Sequence, residues 1–280
     1  MRRLGNGRNL FGFAAVFGSF VLFFACTKPP KPPEKMKASL PYDLEAEPID
    51  ISIPLAAGEG NTSAWYVEPI RMEPVRANGF VGSVQEGGAV NFRDIYFNPH
   101  GHGTHTECRG HITDSVHSVN QIRIPWLMDC EVITIAPDVL ENGDQVIDAP
   151  ALQQASTSPP EALVIRTLPN ELDKRTRSWS NTNPPYLTRK AAQWLVAQKV
   201  MHLLIDLPSV DREVDEGVLA AHHIFWGIPD APRKEATITE FVYIPEHVPD
   251  GFYGLNLQTA PFENDATPSR PLLLPLVTSN

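Results

Sequence analysis

The chain has 280 residues, with 23 Lys and Arg against 33 Asp and Glu, a formal net charge of -10. Apolar residues make up 42% and charged residues 20%, a globular balance that argues against a largely disordered chain. The acidic excess excludes a nucleic-acid binder, which needs a basic face; three cysteines cannot build a disulfide scaffold, and 27 prolines are too many for a helical bundle.

At the N-terminus, Arg2, Arg3 and Arg8 precede an uncharged apolar run from Leu10 to Ala25 that ends at Cys26. A positive segment followed by a run too short to span a bilayer comfortably is the pattern of an export signal, here residues 1–25. It resembles a bacterial lipoprotein signal, in which Cys26 becomes the lipidated first residue; Phe23 stands where that signal usually has Leu. Residues 26–47 are rich in Lys and Pro (Lys28-Pro29-Pro30-Lys31-Pro32-Pro33), which favours extended polyproline II and a semi-rigid spacer. Removing Arg2, Arg3 and Arg8 leaves 20 basic against 33 acidic residues, so anionic lipid repels the body and the lipid alone serves as anchor. The expected location is therefore a bacterial membrane, read as the outer one, with the body facing the periplasm or the surface.

The body, residues 48–280, reads as one mixed α/β domain with no repeat, heptad or second linker. Ile49–Leu55 alternates apolar and polar residues as a half-buried strand does, and glycines at 79, 82, 87 and 88 mark a loop region. Short apolar runs at Val132–Ala136, Ala162–Arg166 and Met201–Ile205 predict strands. Before the last run, Thr188 is suited to cap a helix over Arg189–Lys199, with Ala191, Trp194, Leu195 and Gln198 on one face. Further strands are expected at Phe241–Ile244, Leu255–Gln258 and Leu272–Val277.

Residues 98–112 read Asn-Pro-His-Gly-His-Gly-Thr-His-Thr-Glu-Cys-Arg-Gly-His-Ile. Four of the nine histidines, His100, His102, His105 and His111, fall within twelve positions, where even scatter would place fewer than one. Imidazoles with a carboxylate two residues on, at Glu107, suit zinc or a neighbouring first-row metal, and the interleaved glycines allow the tight backbone that aims them together. A His-rich surface loop that binds metal adventitiously is the alternative on spacing alone.

At these residues the sequence resembles the bacterial cyclase family, which includes kynurenine formamidases and isatin hydrolases. The family signature His-x-Gly-Thr-His-x-Asp-x-Pro-x-His is matched by Gly103-Thr104-His105, the carboxylate of Glu107 and His111. The resemblance continues in family order through Ile49-Asp50-Ile51-Ser52, Ala162-Leu163-Val164-Ile165-Arg166-Thr167 and the block Asp206-Leu207-Pro208-Ser209-Val210-Asp211. Ala221-His222-His223-Ile224-Phe225-Trp226 and Thr239-Glu240-Phe241 complete it.

The resemblance implies a swivelling β/β/α fold and a metal-dependent hydrolase of a linear or cyclic amide, a formamide or lactam, acting through metal-bound hydroxide. It implies a divalent cofactor, zinc or manganese, as one or two ions. Carried over, the ligands are His100, His105, Glu107, His222 and Glu240, with His100 favoured over His102 and His222 over His223, and His111 moves protons. The partners implied are a small-molecule amide and the membrane through the lipid, with no nucleic acid and a homo-oligomer left open. Two departures stand out: the family's first histidine aligns with Gly101, and Glu107 replaces its aspartate. They favour a second function, a non-catalytic metal- or ligand-binding lipoprotein on a degenerate cyclase fold.

Other candidates receive structural readings. Cys108 and Cys130 read as small buried residues, with a disulfide between them permitted by an oxidising envelope. His202, in an apolar strand, reads as a core histidine, His117 and His247 as surface, and Asp206 and Asp211 as loop-fixing groups. Among the tryptophans, Trp226 is expected near the site because it follows His222 closely.

Overall fold

Seven strands close into a ring in this computed structural model, which describes residues 42–156 and 158–277. The expected signal segment and Cys26 lie outside the described residues. In chain order the main strands are β1 (Ile49–Asp50), β2 (His105–Glu107), β3 (Met128–Ile135), β4 (Ala162–Thr167), β5 (His202–Ile205), β6 (Thr237–Glu240), β7 (Gly251–Thr259) and β8 (Ala266–Leu274). The ring runs β8, β7, β3, β4, β5, β6, β2 and back to β8, with β1 added on β8. The four strands β3 to β6 are parallel neighbours, and the remaining pairs are antiparallel.

The central strands form where the sequence has continuous apolar runs, as parallel strands buried on both faces require. Every residue of β4 is buried, and the strand period of two divides them between two cores. Ala162 and Val164 join Cys130, Val132, Leu204 and Leu273 inside the ring, whereas Leu163 and Ile165 join Ile133, Leu203 and Ile205 under the helices. Those helices are α1 (Ala149–Ala155), α2 (Arg189–Ala197) and α3 (Ala220–Trp226). The Thr188 hydroxyl accepts from the Ala191 N–H at 3.2 Å and caps α2 as expected, and Ala191, Trp194 and Leu195 are buried. Gln198 closes the helix from its C-cap.

Several expectations need adjustment. Only Ile49 and Asp50 of the first predicted strand join the ladder, although Ile51 and Ile53 are buried in alternation with less buried neighbours. Phe241–Ile244 is buried but is not a strand: β6 ends at Glu240, and Phe241 takes a positive φ of 55° that turns the chain out of the ladder. The last strand lies earlier than expected, at Ala266–Leu274. The packed body also begins before Pro48, because Tyr42 is buried and bridges to Leu276. Helix α1 was not expected, although Asp148 caps it and Pro150 sits in its first turn. Helix α3 carries no local capping side chain; its first N–H groups are held from elsewhere in the chain.

Candidate metal centre

Ring closure brings the histidine segment onto the sheet. In β2, Glu107 lies opposite Ile238 of β6 and Ala266 of β8, and His105 lies opposite Glu240. Side chains two apart in a strand share a face, so His105 and Glu107 point together, towards Glu240 and α3. The opposite face is fixed by Thr106, whose hydroxyl is 2.7 Å from that of Thr239.

Each of three imidazoles is anchored through one ring nitrogen and turns the other towards a carboxylate. His105 Nδ1 lies 3.1 Å from the Gly103 carbonyl, leaving Nε2 at 3.4 Å from Glu240 Oε2. His222 Nδ1 lies 2.7 Å from Asp211 Oδ2, leaving Nε2 at 3.1 Å from Glu107 Oε1. His100 is reversed: Nε2 contacts Asp265 Oδ2 at 2.7 Å and Nδ1 faces Glu107 Oε2 at 3.1 Å. An anchored imidazole with its second nitrogen free is how metal-binding histidines are oriented.

The position of His100 has a local cause. The Asn98 side-chain carbonyl accepts from the N–H groups of His100 and Gly101, making a tight turn. A Cβ at Gly101 would lie 2.7 Å from a Val67 methyl, so the position that aligns with the family's first histidine has no room for a side chain. His102 is committed elsewhere: the Asn98 N–H donates to its Nδ1, and its Nε2 lies 3.0 Å from the Glu68 carbonyl. His223 contributes no atom to the cluster.

His111 is held more loosely, with Nε2 at 3.9 Å from Glu107 and Nδ1 at 3.6 Å from Asp265, and its side chain is 31% exposed. It opens with His100, His222 and Glu240 onto a cavity of about 310 Å³. Asp265, between β7 and β8, was not singled out from the sequence, and no motif there marks it. Asp211 does more than fix a loop: besides orienting His222, it accepts from the Ala221 and His222 N–H groups and so starts α3. The resemblance had placed it in a recognisable block, but its bond to the imidazole depends on the fold. Trp226 is buried with its ring 5.2 Å from that of His222, as expected.

The electrostatics favour positive charge. Burial opposes a charged imidazole at His100, yet the Asp265 carboxylate, hydrogen-bonded to its ring, and the nearby Glu107 carboxylate outweigh it and raise the group to about 10. His222 is likewise raised to about 10, against burial, by Asp211 and Glu107. Glu107 is fully buried, which pushes its carboxyl up, but the neighbouring imidazoles of His111, His100 and His222 hold it well below the usual range. Protons held by such a field are those a divalent cation would displace.

The residues present fit a metal. His105 Nε2 and Glu107 Oε2 are buried without a hydrogen-bond partner, a costly state that a cation would relieve. Among the described residues, ligand atoms lie within 4.8 Å of one another in the groups His100–His105–Glu107, Glu107–His111–His222 and His100–His111–Asp265. Nitrogen and carboxylate donors of this kind suit zinc and its first-row neighbours.

The other residues behave as structure. Cys108 and Cys130 are free and buried, and burial raises the Cys108 thiol to about 11. His202 Nδ1 lies 2.9 Å from the Thr237 hydroxyl in the core, and Asp206 forms a buried ion pair with Lys174 at 2.8 Å.

Comparison with known proteins agrees with this architecture. The profile of the family described as "Putative cyclase" matches residues 49–212, more than half of the chain. No curated protein matches. An isatin hydrolase bound to the product analogue thioisatinate superposes with a TM-score of 0.61 at 15% identity, covering 82% of this chain and 93% of its own. A predicted metal-dependent hydrolase from Bacillus stearothermophilus gives 0.57 at 17% identity, covering 81% and 98%. Isatin hydrolase A from Ralstonia solanacearum gives 0.55 at 14%, covering 81% and 91%. At these identities the likeness is one of fold.

Proposed function

The chain belongs to this cyclase family, and from that premise we propose that it is a metal-dependent hydrolase of the carbon–nitrogen bond in a linear or cyclic amide, a formamide or lactam. The observation that carries the reading is the set of anchored imidazoles turned towards buried carboxylates, with two buried donor atoms unpartnered. His100, His105, Glu107, His222 and Glu240 would hold the metal, zinc or manganese, as one or two ions. A bound divalent metal supplies Lewis acidity, lowering the pKa of water from 15.7 towards about 7 and polarising a carbonyl.

The chain's own residues supply the rest. Asp211, Asp265 and the Gly103 carbonyl keep three imidazoles in the orientation a ligand needs. His111, exposed to the cavity and beyond hydrogen-bond distance of its carboxylate neighbours, is free to take a proton from the attacking water and return it to the leaving nitrogen. In the same proposal the protein is exported and tethered to a bacterial membrane by lipid on Cys26.

A second reading, capture of a metal or small ligand without turnover, draws on one observation: His111 also falls within two ligand-spaced groups. Paired variants separate the readings. His105→Ala should lose metal and activity together, whereas His111→Ala should keep its metal and lose roughly 10²–10⁴-fold in turnover of formamides or lactams. Equal metal loss in the two variants would make His111 a ligand and remove the proton-transfer role.

A further inference from the structure

The cavity beside the metal centre contains a cation that the hydrolase reading does not use. Among its described lining residues, Arg212 is the one Lys or Arg. It follows directly on Asp211, so one loop presents both the anchor of His222 and this guanidinium.

Arg212 is held unusually firmly for a side chain that is 40% exposed. Its Nη2 donates to Asp144 Oδ1 at 3.0 Å, its Nε lies 3.0 Å from Oδ2 without hydrogen-bond geometry, and its Nη1 donates to the Val214 carbonyl at 2.9 Å. Asp144 is itself buried and fixed by three neutral donors: Asn183 at 2.9 Å, Asn142 at 2.9 Å and the Tyr186 hydroxyl at 3.1 Å. The Asn183 amide, with Arg212, Asn142 and Tyr186, keeps that carboxyl at about 2 despite burial, so it stays ionised. An arginine has five N–H donors, and these contacts leave one on each terminal nitrogen uncommitted. Two terminal N–H groups in a fixed plane match the two oxygens of a carboxylate.

The acidic neighbours are already occupied. The Glu213 oxygens accept from the Asn181 and Asn183 N–H groups, and the Asp215 oxygens accept from those of Gly217 and Leu219. The same lining includes Trp65, Val67 and Leu219, which are apolar. A volume of about 310 Å³ is at the small end for ligand sites.

We infer that Arg212 is the anchor for a carboxylate on the substrate, which is a small amide with an apolar or aromatic body and an acidic group remote from the bond that is cut. The inference takes the word substrate from the hydrolase reading, but the anchoring itself is a binding property. Asp144 is then a positioning residue that holds the guanidinium in place before the ligand arrives, which reduces the ordering cost of binding.

The test uses the full chain loaded with zinc and a matched pair, 4-formamidobenzoate and its methyl ester. It adds calorimetric binding of 4-aminobenzoate and of its methyl ester, which needs no turnover. Wild type should prefer the carboxylate member about tenfold or more in both kcat/KM and binding, the scale of a charge-assisted pair. Arg212→Gln should abolish that preference, Arg212→Lys should keep part of it, and Asp144→Asn should weaken it through KM rather than kcat. Thermal melts of all three variants identify any that fail to fold, and Arg212→Lys retains the charge if Arg212→Gln is one of them. Equal handling of acid and ester by wild type, or a preference that survives Arg212→Gln, overturns the inference and leaves the hydrolase reading untouched. Arg212-dependent binding of 4-aminobenzoate with no hydrolysis of either formamide upholds the anchor and counts against the hydrolase reading instead.

Discussion

Asp211→Asn changes two atoms' chemistry and almost no volume, yet it acts on both the fold and the centre. Wild-type Asp211 accepts from the Ala221 N–H at 2.7 Å and the His222 N–H at 3.0 Å, and its Oδ2 is 2.7 Å from His222 Nδ1. An asparagine has one oxygen for these three donors, and its amide would face the imidazole N–H as a second donor. Losing one charge-assisted bond and leaving a buried donor unpaired should cost about 2 kcal/mol. For a domain of this size that lowers the melting temperature of the metal-free protein by about 4–8 °C.

The metal should respond more strongly than the fold. Without its anionic anchor, His222 no longer has Nε2 fixed towards Glu107, and removal of such a partner typically lowers metal affinity by about 10–100-fold. Competition against a chromophoric chelator measures the affinity, and a melt of the apo protein measures the fold separately. A variant that melts lower but binds metal as tightly as wild type would refute the reasoning, because His222 would then not be a ligand that depends on Asp211. His222→Ala in parallel sets the limit for complete loss of that ligand.

Three further outcomes are open to measurement, two from the structure and one from the sequence. Burial, with a smaller contribution from Arg233, lowers His202 to about 4 in the fold against about 6.5 unfolded, so it favours folding fully above about pH 6.5 and progressively less as pH falls towards 4; the gap corresponds to about 3 kcal/mol, and His202→Gln should remove that part of the slope in denaturant titrations between pH 4 and 7. Cys26 should be the mature N-terminus and carry lipid, so mass spectrometry of the membrane fraction should find a modified Cys26, and a soluble product cut elsewhere would overturn the proposed anchor. Glu107→Asp restores the family's own residue, yet should weaken metal binding by about tenfold or more, because a shorter side chain withdraws from His100 and His222, each now 3.1 Å away; tighter binding by this variant would show Glu107 to be a defect.

What was legible in the sequence is what local chemistry decides. β4 and β5 contain unbroken apolar runs, Ala162–Ile165 and Leu203–Ile205, and α2 has Thr188 at its start, so composition and capping suffice for them. Phe241–Ile244 misled because apolarity reports burial, and burial does not require a ladder: this segment runs through the core after a turn at Phe241. Helix α3 is seven residues long and begins from a carboxylate ten positions earlier, so neither length nor a local cap announces it. The His100 to His111 cluster was visible because a turn and one short strand hold it. Asp265 was not, because only the pairing of β8 with β2, Ala266 opposite Glu107, carries it there.

The two departures from the family signature are coupled by this geometry. With Gly101 packed on Val67, the first histidine stands one residue earlier, where the Asn98 turn presents it from a different direction. His100 therefore faces the cluster with Nδ1, the ring nitrogen nearer its own backbone, whereas His105 and His222 use the more distant Nε2. In the proposed centre a histidine that reaches less far would be met by a carboxylate that reaches further, and the extra methylene of Glu107 supplies that length. The reversed ring also needs its anchor on the opposite side, and Asp265 provides it at 2.7 Å from Nε2. Gly101, His100, Glu107 and Asp265 thus form one arrangement, in which each substitution read singly as decay is matched by another. That argues for a centre rebuilt around a displaced histidine, and it is the physical reason to prefer a working metal site over a degenerate one.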